Sequence, residues 1–432
     1  MSAGPTDPAE ETVPSTTQRR VLDRVPPLLR QTAFRRYWTA QSISYLGDQI
    51  TFVALPLAAV LALDANAAQL GALSAAASLP NLLFSLHAGS LIDRSGRLRA
   101  TMIVADLVRA LVLVTVPIAY WLGVMTLPQL YVVAFVTGTF GMLFSLCANS
   151  LLAVVVPREQ LLSGNALVKG SYNFSFAAGP GIGGGLVQIL SGPVAIVLDV
   201  VSFLGSALLL RSFSPDEPRP APAGRRHLRE GLRFVLRTPV LLAKFFADAS
   251  LNFFYTIYFT LLVLYAVQEL HLSSGLVGVV IAAGAIGAMA GAALTTRASR
   301  SLGVGGAFFL GAFLYPGALV LVPLAHGPVW LAATLLIVAE FVSGIGLMVC
   351  DISATSIQLA LTPHRLRARV QGAFMLFNKG ARPLGALVGG VLGSWLGLRP
   401  TLWLATLGGV VSILFILPSP LRRMKDLPAE AE

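Results

Sequence analysis

The sequence predicts an all-α membrane protein of twelve transmembrane helices, arranged as two pseudo-symmetric six-helix bundles. Three observations predict it: an apolar composition, apolar runs of membrane-crossing length, and basic residues confined to alternate connections. Of 432 residues, 55% are hydrophobic and 12% charged, with a mean hydropathy of +0.76. Water-facing domains carry about 25% charged residues, so most of this surface meets lipid. Glycine is frequent, 41 residues mostly inside apolar runs, as close packing of membrane helices requires. A formal charge of +11 suggests nucleic acid, but the placement of the arginines indicates membrane topology instead.

A hydrocarbon core of about 30 Å needs about 20 apolar residues per helix. That window places spans at 37–62, 68–92, 100–124, 128–154, 162–189 and 193–212, then at 241–267, 274–298, 304–325, 328–354, 370–397 and 400–418. Arg30, Arg35 and Arg36 precede the first span; Arg94, Arg97 and Arg99 follow the second, and Arg158 the fourth. Arg225, Arg229, Arg233 and Arg237 lie between the sixth and seventh, Arg297 and Arg300 after the eighth, Arg365, Arg367 and Arg369 after the tenth, and Arg422, Arg423 and Lys425 after the last. The opposite connections hold Arg399 alone. Cells retain Lys and Arg on the cytoplasmic side. Both termini are therefore expected inside, in a multi-pass protein of a bacterial cytoplasmic (inner) membrane.

Residues 1–33 are rich in Pro, Ser and Thr, lack an apolar core, and read as a disordered cytoplasmic tail rather than a signal peptide. The bundles are assigned to 34–213 and 241–420, with a connection at 214–240 and a second tail at 421–432. In the connection, Arg225, Arg229, Arg233 and Arg237 recur every four residues, with Leu228, Leu232, Val235 and Leu236 on another face. That pattern is a basic amphipathic helix suited to an anionic leaflet. The halves repeat at an offset of roughly 205 residues: Pro157 and Arg158 match Pro363 and His364, Gly183 and Gly184 match Gly389 and Gly390, and Cys147 matches Cys350. Two cysteines inside apolar segments exclude a disulfide framework. Parallel halves of this kind place a site near the midplane between them.

The strongest local pattern is GSLIDRSGRLR at 89–99, between spans two and three. Gly89 allows a close helix approach, Gly96 a positive φ, and Asp93 a basic partner, while Arg94 and Arg97 act as topological and gating charges. It resembles the signature loop of the major facilitator superfamily, G-x-L-a-D-r-x-G-r-k, which in that family latches the two halves when the cytoplasmic side is shut. The counterpart at 291–303 lacks an acid and is degenerate. Gly179, Pro180, Gly183 and Gly184 in span five resemble the G-P-x-x-G-G element of the superfamily's proton-coupled exporters; a plain packing surface is the alternative. Finer resemblance is to the macrolide and enterobactin (multidrug) efflux branch, through Ser44 to Asp48, Ala105 to Ala110, Ser202-Phe203 and Arg229 to Phe234, and it covers about residues 33–420. Span four departs from the drug–proton antiporter pattern in having no Arg.

Ionisable residues within spans are costly and mark function by default. Asp48 shares a helical stripe with Gln41, Ser44 and Thr51, expected to face the passage; a structural hydrogen-bonded Asp is the alternative. Glu340, Asp48 and Asp199 are the proton-carrier candidates. Asp106 and Arg109, one turn apart, read as an ion pair. Asn378 and Arg382 share a stripe on span eleven, with Lys379 beside it, able to receive an anionic group or to pair with acids of another span. Asn252, Tyr255 and Phe259 share a face of the aromatic span seven, suited to a bulky apolar ligand.

These features favour a secondary active exporter of amphipathic drug-like or siderophore-like molecules, run by proton antiport with alternating access. The alternative is an uptake carrier or lysophospholipid flippase of the same fold. The expected partners are a small-molecule substrate, protons and the bilayer, with no nucleic acid, cofactor or metal, and a monomeric state. No enzyme is expected: the five histidines are scattered, and neither H-E-x-x-H, G-x-S-x-G nor G-x-x-x-x-G-K-[ST] occurs. No repeated filter sequence suggests a channel.

Overall fold

The computed structural model describes residues 27–215, 217, 228–363 and 366–417, excluding the side chains of 27, 85–95, 228, 229, 231, 368, 376 and 379. Most of each expected tail lies outside the described residues. The first bundle comprises α1 (Thr32–Leu63), α2 (Ala67–Ser95), α3 (Leu98–Trp121), α4 (Leu127–Val155), α5 (Leu161–Leu190) and α6 (Gly192–Arg211). In the second, α7 is Pro239–Gln268, and the run Ser274–Ala318 breaks at Gly303 into α8 (274–302) and α9 (304–318). It closes with α10 (Val329–Leu361), α11 (Arg367–Leu396) and α12 (Leu398–Val411).

Among the described residues, nine helices are long and apolar enough to cross a membrane, the run holding α8 and α9 counting once. The more polar α5 and α11 reach the same length, so the set is consistent with twelve crossings. Pro128, Pro193 and Pro239 start α4, α6 and α7 at positions where a missing N–H costs no helical bond.

The turns record the duplication more sharply than the residues do. Every described residue with positive φ has a counterpart 204 to 207 positions away: Asp64 with His271, Gly96 with Gly303, Gly123 with Gly327, and Ser191 with Gly397. Residue identity has drifted while backbone handedness has stayed.

Within the first bundle α1 packs on α5 and α6, and α3 on α4 and α6; within the second, α7 packs on α11 and α12, and α8–α9 on α10. Across the bundles, α2 meets α11 and α5 meets α8. These crossings centre on glycines at the ends remote from the linker, the far side. A Cβ on Gly184 would stand 2.8 Å from Gly278 Cα, and one on Gly71 2.8 Å from Gly390 Cα. Such approaches let helix backbones touch. Nearer mid-height, Phe52 of α1 stacks on Phe259 of α7 at 5.3 Å.

The linker helix, Leu228–Arg237, packs against the second bundle. Val235 is fully buried with Leu241, Phe245, Leu366, Val370 and Phe374, and Glu230 pairs with Arg369. Val235 thus meets α7 and α11, while Leu236 stays exposed. The preceding strand of chain is held to the first bundle: Arg36 donates to the Ser212 carbonyl, and the Arg99 amide donates to Glu217 Oε1 at 2.8 Å.

Candidate functional site

Arg109 organises the interior of the first bundle. Its side chain is 1% exposed, lies 3.9 Å above the Phe203 ring and 4.8 Å from that of Phe144, and can be stable there only with anionic partners. Asp106, one turn earlier on α3, supplies the first, and Asp48 of α1 the second, with Oδ1 3.1 Å from Nη1. Ser44 Oγ accepts a longer bond at 3.4 Å. The pair expected between Asp106 and Arg109 is thus a triad, with Asp48 its outer member: the Asp48 side chain is 41% exposed.

Asp199 of α6 meets the same face of α1, at Gly47 and Thr51. Thr51 Oγ1 donates to its Oδ2 at 2.5 Å and Ser202 Oγ to its Oδ1 at 2.9 Å. Gly47 makes this possible, since a Cβ there would stand 2.2 Å from Asp199 Oδ1. Two carboxyl groups therefore hold one guanidinium, and a third, on the neighbouring turn of the same α1 face, is held by hydroxyls alone.

The stripe Gln41, Ser44, Asp48 and Thr51 does not line the passage as expected. Gln41 and Ser44 are buried, Gln41 donating to Tyr37 Oη at 2.8 Å and Ser44 facing Arg109. Thr51 turns to Asp199. Their polarity serves the bundle interior, while the Asp48 side chain stays 41% exposed.

In the second bundle, Glu340 is 5% exposed and accepts a bond of 2.7 Å from Tyr258 Oη. Tyr255 packs against both Tyr258 and Tyr315, at 6.0 and 5.3 Å. Gly284 and Gly344 let α8 and α10 close over this carboxyl; a Cβ on Gly284 would meet Glu340 Oε2 at 2.8 Å. Near the linker side, Lys244 bonds Asp248 at 2.5 Å and stands 4.2 Å from the Phe374 ring. That pair escaped sequence reading, although its four-residue spacing was visible.

Arg382 of α11 is exposed, and its Nε donates to Asn252 Oδ1 at 3.4 Å. Asn252 is aimed by its own amide, which donates to the Asp248 carbonyl at 2.9 Å. Tyr255 and Phe259 continue this face as a stacked pair at 5.8 Å. Asn378 is half-buried, and the Lys379 side chain lies outside the described residues. Across the cleft, Tyr172 of α5 meets Tyr45 edge-on at 5.3 Å and stacks on Phe176 at 6.1 Å. Tyr45 lies three residues before Asp48, so the aromatics of α5 flank the turn of α1 that carries this carboxylate.

In the signature loop, α2 runs through Gly89, Asp93 and Arg94 to Ser95, with those side chains outside the description; Gly96 turns with φ 60°, and Arg97 caps α3. In the exporter-like element, Gly179 seats the Gln49 side chain, Gly183 meets the Ile50 backbone, and the Pro180 carbonyl faces Gly278. A separate cavity of about 640 Å³ at the far side, between Gln188 and Ser274, is lined by no carboxylate and no cation. Among the described residues no cluster of side chains suits a metal ion.

The family model described as the Major Facilitator Superfamily matches residues 37–385. The multidrug efflux pump Tap of Mycolicibacterium fortuitum is 27% identical over 370 residues, spanning 82% of this chain and 88% of that protein. The uncharacterized MFS-type transporter YfiS of Bacillus subtilis is 27% identical over 383 residues, 86% of this chain and 89% of its own. Among solved structures, a bacterial homologue of the iron transporter ferroportin in an inward-facing state aligns with a TM-score of 0.73 at 14% identity, over 91% of this chain and 99% of that one. The nucleoside transporter NupG aligns at 0.72 and 12% identity, over 89% and 98%. At these identities the structural likeness speaks for the fold.

Proposed function

Because the chain belongs to the major facilitator superfamily, we propose that it is a secondary active exporter of amphipathic small molecules, driven by protons returning through the first bundle. One observation carries the reading: Asp48, Asp106 and Asp199 outnumber Arg109 three to one inside the membrane. Two unbalanced carboxylates in a low-dielectric interior are prohibitively costly. Protons are the simplest counterions, and Asp48 is the carboxyl that solvent reaches.

Substrate enters from the linker side, which is the cytoplasmic side in this reading, since the basic connections lie there. With substrate loaded, the bundles rock about the passage and open the glycine crossings on the far side. A proton arriving from that side takes Asp48, removes its attraction for Arg109 and leaves that guanidinium to Asp106 alone, which resets the inward-facing state. Release of the proton there restores the triad. Efflux rather than uptake is favoured by the relation to Tap and by the Gly179 to Gly184 element. Glu340 lacks a cationic partner among the described residues and is a second proton position in the other bundle.

Everted membrane vesicles test this directly. Energised vesicles should accumulate an amphipathic dye, and a protonophore should abolish accumulation. Persistence of transport without a proton gradient removes the coupling, and movement in the opposite sense indicates uptake.

A further inference from the structure

The passage carries opposite charges on its two walls, and each is incompletely satisfied. On the first wall, Asp48 gives Oδ1 to Arg109 and remains 41% exposed, leaving its other oxygen without a hydrogen-bond donor among the described residues. On the second wall, Arg382 bonds Asn252 through Nε at 3.4 Å; among the described residues its terminal nitrogens have no carboxylate within ion-pairing distance. A guanidinium anchored through Nε presents its remaining fork outward, the geometry that takes a carboxylate or phosphate through two bonds. Asn252 fixes that presentation, because its own amide is held by the Asp248 carbonyl.

Between the charges lies an aromatic platform. Tyr172 joins Tyr45, three residues before Asp48 on α1, on one side and Phe176 on the other. From α7, Phe259 stacks on Phe52, one turn after Asp48, and on Tyr255, one turn after the Asn252 that holds Arg382. Aromatic faces bind planar apolar bodies and also stabilise cations near them.

We propose that the passage recognises zwitterionic amphiphiles, with the cationic end at Asp48, the carboxylate or phosphate end at Arg382, and an aromatic body lying along Tyr172. The proposal rests on the export reading and names its substrate class. It also supplies the exchange logic: a ligand ammonium and a proton compete for the same Asp48 oxygen, so loading one expels the other. A purely cationic amphiphile engages half of the site, and a purely anionic one meets Asp48 unfavourably.

The test is binding to purified full-length protein in detergent, without any gradient. The probe is aminomethyl-biphenyl-carboxylate, compared with its methyl ester and its N-acetyl derivative. The zwitterion should bind at least about 10-fold more tightly than either blocked form. Arg382→Gln should bring the zwitterion down to the affinity of the ester while leaving the ester unchanged, and Arg382→Lys should recover part of the difference. Asp48→Asn should weaken the zwitterion and the ester alike. Equal binding of all three compounds, no saturable zwitterion binding, or indifference to Arg382→Gln overturns the proposal. Because no gradient is used, failure here leaves proton-driven extrusion in vesicles standing, and loss of proton coupling in vesicles leaves this charge preference standing.

Discussion

Ser191 and Gly397 occupy the same turn in the two halves with nearly the same backbone, φ 81° and ψ 157° against φ 90° and ψ 166°. Only glycine adopts that region without steric conflict, and other residues there cost about 1–3 kcal/mol. Ser191→Gly should therefore raise the apparent melting temperature in detergent, by a net gain of up to about 1 kcal/mol after the flexibility added to the unfolded chain. Gly397→Ser should lower it. A fall on Ser191→Gly would mean that its side chain, whose hydroxyl has no described partner, contributes more than the backbone conflict costs.

Arg109 holds two carboxylates, so its removal should be severe. Arg109→Ala leaves Asp48 and Asp106 facing each other unpaired, a loss of about 3–5 kcal/mol, read as low yield and early unfolding. Adding Asp106→Asn should recover part of it. Arg109→Lys keeps the charge but loses the fork and the stacking on Phe203, and should fall between.

Tyr258 Oη is the one described hydrogen-bond donor to Glu340. Tyr258→Phe should cost about 1–3 kcal/mol, as for any buried acceptor left unpaired. Glu340→Gln keeps an acceptor for Tyr258 and should unfold near the parent temperature, while abolishing any proton exchange that Glu340 carries. Vesicle transport coupled as in the parent would remove Glu340 from the proton path.

The glycine crossings close the far side. A Cβ on Gly184 would lie 2.5 Å from the Ser274 carbonyl oxygen, and one on Gly278 2.4 Å from the Pro180 carbonyl oxygen. Gly184→Val should therefore wedge the bundles apart, reduce transport at least about 10-fold, and increase thiol-reagent labelling of a cysteine introduced at Ala58. Unchanged labelling would show that the seal lies elsewhere.

Much of the architecture was legible because lipid imposes a length and a polarity on each crossing. The expected spans fall on helices, with ends that differ by up to seven residues, and the break between the eighth and ninth sits at Gly303, in the gap expected between 298 and 304. The Asp106–Arg109 contact was legible because three-residue spacing stacks side chains on one helix face. Asp48 joining that pair was not, since it bridges α1 and α3. Periodicity shows which residues share a face, but not what that face meets. Gln41 and Ser44 were therefore assigned to the passage although they fill the bundle, and the linker's own spacing does not show that Val235 meets α7 and α11. The partners of Glu340 and Arg382 come from another helix in each case, and no local pattern announces them.

The chain between the bundles is tethered at both ends, by Glu217 on Arg99 and by Val235 in its pocket on α7 and α11. Eleven residue steps separate Glu217 from Leu228, so covalent geometry caps their separation at about 36–40 Å. Any rocking that demands more must first undock the linker helix or release Glu217. Excising six residues between them lowers that cap to about 17–18 Å, which should trap the carrier in whichever state keeps the anchors close, with substrate binding intact and turnover stopped.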